Sequence, residues 1–263
     1  MDLQRMREAA LAAAASGAEV VRRAWASPPV EAAAKGLPGD WLTQVDLASE
    51  AAIGAFLASA TPEIPMQGEE GGGTAEGLRW VVDPLDGTTN FVHRFPAVGV
   101  SVALVQERSP IAAAIVAPVL GDAWHGARGA GATWIPAGSA PRACGVSVRP
   151  VSHAVVGTGF PFRRKDRLPR YLGAFAGSLE TFEDLRRPGA ACLDLAWVAC
   201  GVLDGFFELG LGPWDVAAGI LLIEEAGGVV TDWAGGPDAL AGDILAGPPE
   251  VHAELLRVAG DAA

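Results

Sequence analysis

Residues 80–91 read WVVDPLDGTTNF, in which an apolar run leads into two acids and a tight turn. The apolar start predicts a buried strand that ends in Asp83 and Asp86. Carboxylates at a strand end are ligands for hard cations, and the small residues after them leave backbone N–H groups free to approach an anion. A metal ion beside a phosphate indicates phosphoryl chemistry. Asp-Pro and Asp-Gly are common turn dipeptides, and taken alone a segment of this kind is usually an ordinary turn.

The chain is acidic, with a formal net charge of −12 over 263 residues. This charge argues against nucleic acid or an anionic membrane surface as a partner, because both are polyanions. An acidic protein that handles phosphate must import positive charge, and bound divalent metal is the simplest source. We therefore expect a small phosphorylated metabolite as the partner, with no nucleic acid and no membrane.

The cysteines and the N-terminus indicate a soluble, cytoplasmic protein. Cys144, Cys192 and Cys200 show no CxxC spacing and are odd in number, which is typical of buried thiols in a reducing compartment. The N-terminal segment carries charges among its alanines and lacks the continuous apolar core of a signal peptide. No run approaches the roughly 18 apolar residues that a membrane span requires.

Helical and strand patterns divide the chain near residue 145. Helices followed by several strands predict an α+β N-terminal half, residues 1–145, and strand–helix alternation predicts an α/β C-terminal half, residues 146–263. We expect the halves to pack as one compact unit with a cleft between them. The predicted helices are 2–26, one from Asp46 toward Pro62, 166–178, 191–201, 215–226 and 249–259. The predicted strands are 79–83, 97–106, 110–117, 122–125, a hairpin within 126–140, 153–158, 181–186, 203–208, 228–232 and 243–246.

Three further acidic positions lie far from residues 80–91 in sequence. Glu69 follows Gly68 in a glycine-rich loop, which is typical either of a solvated corner or of a metal ligand. Asp215 and Asp46 lie where helices are predicted to begin, so each is typical of an N-cap. The alternative for Asp215 is a carboxylate aimed into a cleft, and the alternative for Asp46 is a hydrogen bond to Thr88 that orients a nucleophilic water. A second source of carboxylate, distant in sequence, is what a two-metal site requires.

These patterns occur together in one order, which makes coincidence a poor explanation. Gly68-Glu69-Glu70, Asp83-Pro84-Leu85-Asp86-Gly87-Thr88 and Trp214-Asp215 resemble the inositol monophosphatase family, which consists of lithium-inhibited, magnesium-dependent phosphatases. The resemblance extends from Lys35 to Gly247. It implies an α/β (α+β) fold, a layered α-β-α-β-α sandwich of the inositol monophosphatase and fructose bisphosphatase type, and a homodimer.

The resemblance also implies a ligand set for two Mg²⁺ ions. Glu69, Asp83 and the carbonyl of Leu85 would bind the first ion, and Asp83, Asp86 and Asp215 would bind the second. It allows a third, weaker ion near Glu69.

The remaining site residues follow from the same resemblance. Gly87 and Thr88 would meet the phosphate through backbone N–H groups. Glu69 and Thr88, with Asp46 behind Thr88, would position the attacking water. The implied substrate-binding residues are Gly189, Ala190, Ala191 and Glu208.

The implied reaction is hydrolysis of inositol 1-phosphate to inositol and phosphate, by direct in-line attack of a metal-activated water. The same chemistry on histidinol phosphate, fructose 1,6-bisphosphate or 3′-phosphoadenosine 5′-phosphate is an alternative. A non-catalytic regulatory protein that binds metal or phosphate is an alternative from another class. We interpret His93 as peripheral to the site and Lys35 as a counter-charge to the acids, and we expect Gly71-Gly72-Gly73 to make the loop after Glu70 flexible.

Overall fold

A computed structural model describes residues 1–28, 32–34, 41–162 and 164–261. Seven α-helices lie in these ranges: α1 Leu3–Trp25, α2 Gln44–Ala60, α3 Thr88–Val92, α4 Leu168–Thr181, α5 Ala191–Ala199, α6 Pro213–Glu225 and α7 Pro249–Asp261. The strands are β1 Ala32–Ala34, β2 Trp41–Thr43, β3 Met66–Gly68, β4 Gly72–Gly73, β5 Leu78–Asp86, β6 Gly99–Gln106, β7 Ser109–Val116, β8 Ala123–Ala127, β9 Ala132–Ile135, β10 Arg142–Ala143, β11 Val155–Thr158, β12 Asp184–Arg186, β13 Gly205–Glu208, β14 Val229–Thr231 and β15 Ile244–Gly247.

The strands form two large sheets and one small hairpin. The eight-stranded sheet has the order β10-β9-β8-β7-β6-β5-β3-β4, and within it only β3 and β5 pair in parallel. The five-stranded sheet has the order β12-β11-β13-β15-β14, with β11 parallel to both of its neighbours. The small hairpin pairs β1 with β2.

Helices cover both faces of each large sheet, which gives five layers. Helices α1 and α2 pack on the outer face of the eight-stranded sheet, and α5 and α6 lie between the two sheets. Helices α4 and α7 cover the outer face of the five-stranded sheet. Helix α6 is buried continuously from Asp215 to Ile223, as expected of a helix with a sheet on both sides. The predicted layered α-β-α-β-α fold is confirmed.

Most predicted elements are present within a few residues of the expected bounds. The glycine-rich loop predicted around Glu69 contains the short strands β3 and β4. The hairpin predicted within 126–140 pairs β9 with β10 beyond that range. Helix α3 was not predicted. Helix α2 begins at Gln44 with Thr43 as its N-cap, so Asp46 is not the cap but the third helical residue.

The eight-stranded sheet is built from residues 66–143 and the five-stranded sheet from residues 155–247. The core between them includes Val81 and Ile115 from the first sheet, Phe206 from the second, and Leu193 and Leu221 from the helices between. The division into halves at residue 145 stays a prediction. Within the described ranges, no helix is both long enough and apolar enough to cross a membrane.

Candidate active site

The end of β5 carries two acids because the strand is irregular there. The pairing of β5 with β6 shifts register between Asp83 and Asp86, at the point where Pro84 has no N–H to donate to a ladder. The Leu85 N–H instead donates to Asp83 Oδ1, at 3.0 Å. The irregularity brings two carboxylates, three positions apart, to the same end of the strand.

Gly87 makes the turn that follows. Its φ of 86° lies in the left-handed region, and a Cβ at this position would lie 2.8 Å from the carbonyl oxygen of Ala97. A glycine is therefore required both by the backbone conformation and by the close approach. Helix α3 begins directly afterwards, at Thr88.

Three carboxylates converge beside this turn. Asp83, Asp86 and Asp215 each offer an oxygen, and these oxygens all lie within 4.8 Å of one another. Burial raises the pKa of Asp83 well above its usual range, and the negative charges of Glu69, Asp86 and Asp215 raise it further. Clustered carboxylate oxygens that repel one another in this way form a donor set that fits a hard divalent cation.

Asp215 reaches the cluster from the start of α6. It is the third residue of the helix, and its Oδ2 accepts the N–H of the N-cap residue Gly212, at 2.5 Å. The N-cap interpretation of Asp215 is therefore wrong by three positions. The side chain instead faces the start of its own helix, so the position of the carboxylate is set by the backbone.

Asp46 and Thr88, predicted to lie together, are in contact. Thr88 Oγ1 is 3.1 Å from Asp46 Oδ1 and 3.2 Å from the Leu85 carbonyl oxygen, and its single hydrogen can be donated to one of them at a time. The other Asp46 oxygen accepts the N–H and the hydroxyl of Thr43, at 2.8 and 2.6 Å. Asp46 thus links the start of α2 to the turn after β5.

Glu69 lies in the same cavity but outside the group of three. It follows β3, and its N–H donates to the Val82 carbonyl, at 3.1 Å. Glu69 and Leu85 both line the cavity, which has a volume of about 280 Å³. Lys35 lies outside the described residues, so its predicted role stays a prediction. His93 is exposed at the end of α3 and is not among the described residues that line the cavity.

The wall of the same cavity also carries the predicted substrate residues. Gly189, Ala191 and Glu208 line it, whereas Ala190 is buried behind it and is not among the described lining residues. The Glu208 carboxylate lies flat against Gly159, where a Cβ would collide with it. The structure therefore brings three of the four residues to the cavity, and their roles stay predictions.

The sequence did not reveal a group of aromatic and cationic side chains in the cavity wall, the lip, which consists of Phe160, Phe162 and Arg187. The guanidinium of Arg187 lies 5.1 Å from the ring centre of Phe160 and 5.3 Å from that of Phe162. All three residues line the cavity. The sequence pattern nearest to these residues is Gly157-Thr158-Gly159, which resembles a fragment of a dinucleotide motif. Its glycine spacing does not indicate a substrate pocket.

Two contacts across the cavity were also missed. The Cys192 N–H, at the start of α5, donates to Asp86 Oδ2, at 2.6 Å. The amide nitrogen of Asn90 is 2.7 Å from the Ala97 carbonyl oxygen, 2.9 Å from that of Pro188 and 3.2 Å from that of Gly189. Backbone donors and acceptors are common to nearly all residue types, so a sequence pattern could not reveal these hydrogen bonds.

A family model with the description "Inositol monophosphatase family" matches residues 2–261. This chain belongs to the inositol monophosphatase family. The resemblance drawn from the acidic motifs is confirmed, and the match covers more of the chain than those motifs did. Members of the family depend on Mg²⁺ in general, in agreement with the acidic cluster beside Gly87.

Individual members of the family are similar along nearly the whole chain. The Nus factor SuhB of Pseudomonas aeruginosa is 40% identical over 262 residues, which is 97% of this chain and 95% of that protein. The crystal structure of the extragenic suppressor protein suhB from Bartonella henselae has a TM-score of 0.87 at 35% identity and covers 96% of this chain and 97% of that one. The inositol monophosphatase from Anabaena has a TM-score of 0.84 at 32% identity, with 98% and 96% covered.

The expectation of no nucleic acid among the partners is wrong. Curated relatives are named Nus factor SuhB, and a Nus factor acts on transcription complexes. A negative net charge opposes direct contact with a polyanion, whereas a protein can join such a complex through other proteins. The homodimer and the lithium sensitivity stay predictions.

Proposed function

We propose that this chain is a Mg²⁺-dependent phosphatase of small phosphate monoesters, with inositol 1-phosphate as the first candidate substrate. The observation that supports it is the convergence of Asp83, Asp86 and Asp215 within 4.8 Å, beside the glycine turn at Gly87. Family membership supports the same reaction class.

The proposed metal ligands fall into two overlapping sets. Glu69, Asp83 and the Leu85 carbonyl would hold one Mg²⁺, and Asp83, Asp86 and Asp215 would hold a second, with room for a third ion near Glu69. Bound Mg²⁺ supplies Lewis acidity, which lowers the pKa of water and neutralises charge on the phosphate and the leaving oxygen. A bound cation reduces the repulsion between the clustered carboxylates, so the cluster favours metal binding.

The protein groups would position the reactants. Backbone N–H groups of Gly87 and Thr88 would face the phosphate, since a left-handed glycine before a helix turns successive N–H groups toward one side. The Thr88 hydroxyl, held by Asp46 Oδ1 at 3.1 Å, would orient the attacking water, with Glu69 on the same side. This hydroxyl can accept from water while it donates to Asp46.

The leaving-group end would recognise hydroxyls of the substrate. The Glu208 carboxylate can accept hydrogen bonds from them, and Gly189 and Ala191 would form the backbone wall beside it, with Ala190 packed behind. The alternative substrates are histidinol phosphate, fructose 1,6-bisphosphate and 3′-phosphoadenosine 5′-phosphate.

Phosphate release with inositol 1-phosphate and these three compounds tests the proposal. We expect turnover that requires added Mg²⁺, is lost with a chelator and is inhibited by millimolar Li⁺. The compound with the highest kcat/KM identifies the preferred class of substrate. A chain that binds Mg²⁺ but releases phosphate from none of the compounds would instead support a non-catalytic binding protein.

A second candidate function is that of a Nus factor. It is favoured by the name of relatives that are 38–40% identical, the widest of which covers 97% of this chain. Expression of this chain in Pseudomonas aeruginosa that lacks its own SuhB tests it. Rescue by both the wild type and Asp86→Asn would show that this role does not need catalysis, and absence of rescue would count against the role.

We also propose a cytoplasmic location. Cys144, Cys192 and Cys200 are free thiols, which fits a reducing compartment. Fractionation of cells that express the chain with its native N-terminus checks this location.

A further inference from the structure

One face of helix α2 carries three polar side chains that contact different parts of the site. Asp46, Ser49 and Glu50 are buried and share this face because they are three and four positions apart. Asp46 contacts Thr88, and the Ser49 hydroxyl donates to the Pro84 carbonyl, at 2.7 Å. Glu50 faces the loop that carries Glu69.

The two Glu50 oxygens accept two successive backbone N–H groups. Oε2 accepts from Glu70 N–H, at 3.0 Å, and Oε1 accepts from Gly71 N–H, at 2.7 Å. Glu50 is largely buried, at 8% exposure, so little water competes for these two hydrogen bonds. A buried side chain on a helix therefore fixes the chain immediately after Glu69.

The loop is shaped to approach this carboxylate closely. A Cβ at Gly68 would collide with the Glu50 carboxylate, and a Cβ at Gly71 would lie 2.6 Å from Oε1. Glycines thus stand on both sides of Glu69 at the points where the backbone meets Glu50. The glycine run after Glu70, expected to make the loop flexible, instead begins with a residue whose N–H is bound.

We propose that Glu50 is a positioning residue, which holds the Glu69 loop in the geometry that metal binding requires. The proposal rests on the proposed function, in which Glu69 is a Mg²⁺ ligand. Its physical basis is that α2 is rigid and already bonded to the Thr88 and Pro84 segments. Through Glu50 the same helix would set the distance from Glu69 to Asp83 and Asp86 before any ion arrives.

Glu50→Gln tests the proposal, because the amide keeps the shape but offers one oxygen in place of two. In the metal-free protein, hydrogen exchange at the Glu70 and Gly71 amides should rise about tenfold, the equivalent of ~1.4 kcal/mol. Calorimetric titration with Mg²⁺ alone should show an affinity about tenfold weaker, and kcat at saturating Mg²⁺ should largely recover. A residue with a merely structural role would lower the midpoint of thermal unfolding without this selective loss of Mg²⁺ affinity.

Gly71→Ala attacks the same contact from the other side and leaves every charge in place. We expect the same loss of Mg²⁺ affinity, and the double variant should be no worse than either single variant, because both break one contact. Gly145→Ala is the matched control, since nothing lies within 4 Å of the added Cβ and the backbone there is ordinary. It should match the wild type.

The outcomes separate this proposal from the proposed function. Unchanged Mg²⁺ affinity in both Glu50→Gln and Gly71→Ala overturns the positioning role, whether or not the wild type is a phosphatase. Weakened Mg²⁺ affinity with raised exchange at Glu70 and Gly71 supports it, even if the wild type hydrolyses none of the substrates. If Glu50→Gln does not fold, Gly71→Ala decides alone.

Discussion

The two ends of the cavity are built differently. At the acidic end, Asp83 and Asp86 come from one strand, and Asp215 comes from the first turn of a buried helix. At the lip end, the wall is formed by Phe160, Phe162 and Arg187, which lie outside regular strands and helices. Phe162 is 55% exposed, whereas Asp83 is 1% exposed.

This difference teaches which part of the site is fixed by the fold. A buried strand end and a helix start have few alternative conformations, so they can hold mutually repelling carboxylates in place. Loop residues at an exposed lip can vary without disturbing the core. We therefore expect the acidic end to set the reaction class and the lip end to set the substrate.

Asp86→Asn is the strongest test of this division. It should lower kcat by roughly 10²- to 10³-fold on every substrate, the scale of losing one electrostatic stabiliser, because the amide carries no charge for a cation. Unfolding in urea without metal should show no loss of stability, because one source of repulsion is removed. A loss confined to one substrate would break the comparison, because the acidic end would then be selecting substrates.

Asp46→Ala should have the next largest effect. It removes the acceptor of the Thr88 hydroxyl and one half of the α2 capping box, so both kcat and stability should fall. The stability loss should be about 1 kcal/mol, as for a lost cap, measured by urea denaturation. Ser49→Ala is a control on the same helix face that leaves Thr88 untouched. Equal kcat values for the two variants would mean that Thr88 does not depend on Asp46.

Gly159→Ala should affect the other end alone. The added Cβ collides with the Glu208 carboxylate, so KM for a hydroxylated substrate should rise roughly tenfold, the lower range for losing a hydrogen bond to a charged group. The Mg²⁺ concentration that gives half-maximal activity should not change, and Gly145→Ala should resemble the wild type. A changed Mg²⁺ requirement would show that the two ends are not independent.

Asp194→Asn tests the comparison through its effect on stability, and of these variants it should have the smallest effect on activity. Asp194 is 1% exposed in α5, and its Oδ1 has no hydrogen-bond partner among the described residues. Burial, followed by the charges of Glu208 and Asp86, raises its pKa well above the usual 3.8. The folded state therefore binds this proton more tightly than the unfolded state, and stability falls as pH rises from about 4 toward the raised pKa.

The variant should remove that loss. Denaturation should show a gain over the wild type at pH 8, by about 1.4 kcal/mol for each unit of pKa shift, and no gain near pH 4. Asp204→Ala is the contrasting control, because fully buried Asp204 accepts from Arg149 and from the Val155 N–H, each at 2.7 Å. Asp204→Ala should lower the free energy of unfolding by about 1–3 kcal/mol. A loss of similar size in Asp194→Asn would mean that Asp194 is bonded after all.

The acidic end was predictable from the sequence because its chemistry is encoded in residue type. Asp83, Asp86 and Asp215 are charged residues at strand and helix ends, and apolar periodicity located those ends to within a few residues. Periodicity indicated an α+β half and an α/β half, and the layered fold followed from the family resemblance. The error over N-caps arose because a capping box places an acid three positions into the helix, at a site that looks like a cap in sequence.

The lip and the links across the cavity were not predictable in the same way. Phe160, Phe162 and Arg187 are common surface residues whose meeting depends on loop conformation. The contacts of Glu50 and Cys192 involve backbone N–H groups, which every residue except proline carries. The partner prediction failed for another reason, since net charge describes direct contact with a polyanion and says nothing about protein partners.

The amide of Asn90 limits how far the two sides of the cavity can separate. This one side chain of α3 reaches the Ala97 carbonyl on its own side and the Pro188 and Gly189 carbonyls opposite. Any motion that parted the two sides at this point would leave the Ala97 carbonyl as the acceptor of this buried amide and remove those of Pro188 and Gly189, which is unfavourable. We therefore expect any separation of the two sides to pivot near Asn90, which keeps the distance between α3 and the Pro188–Gly189 segment nearly constant.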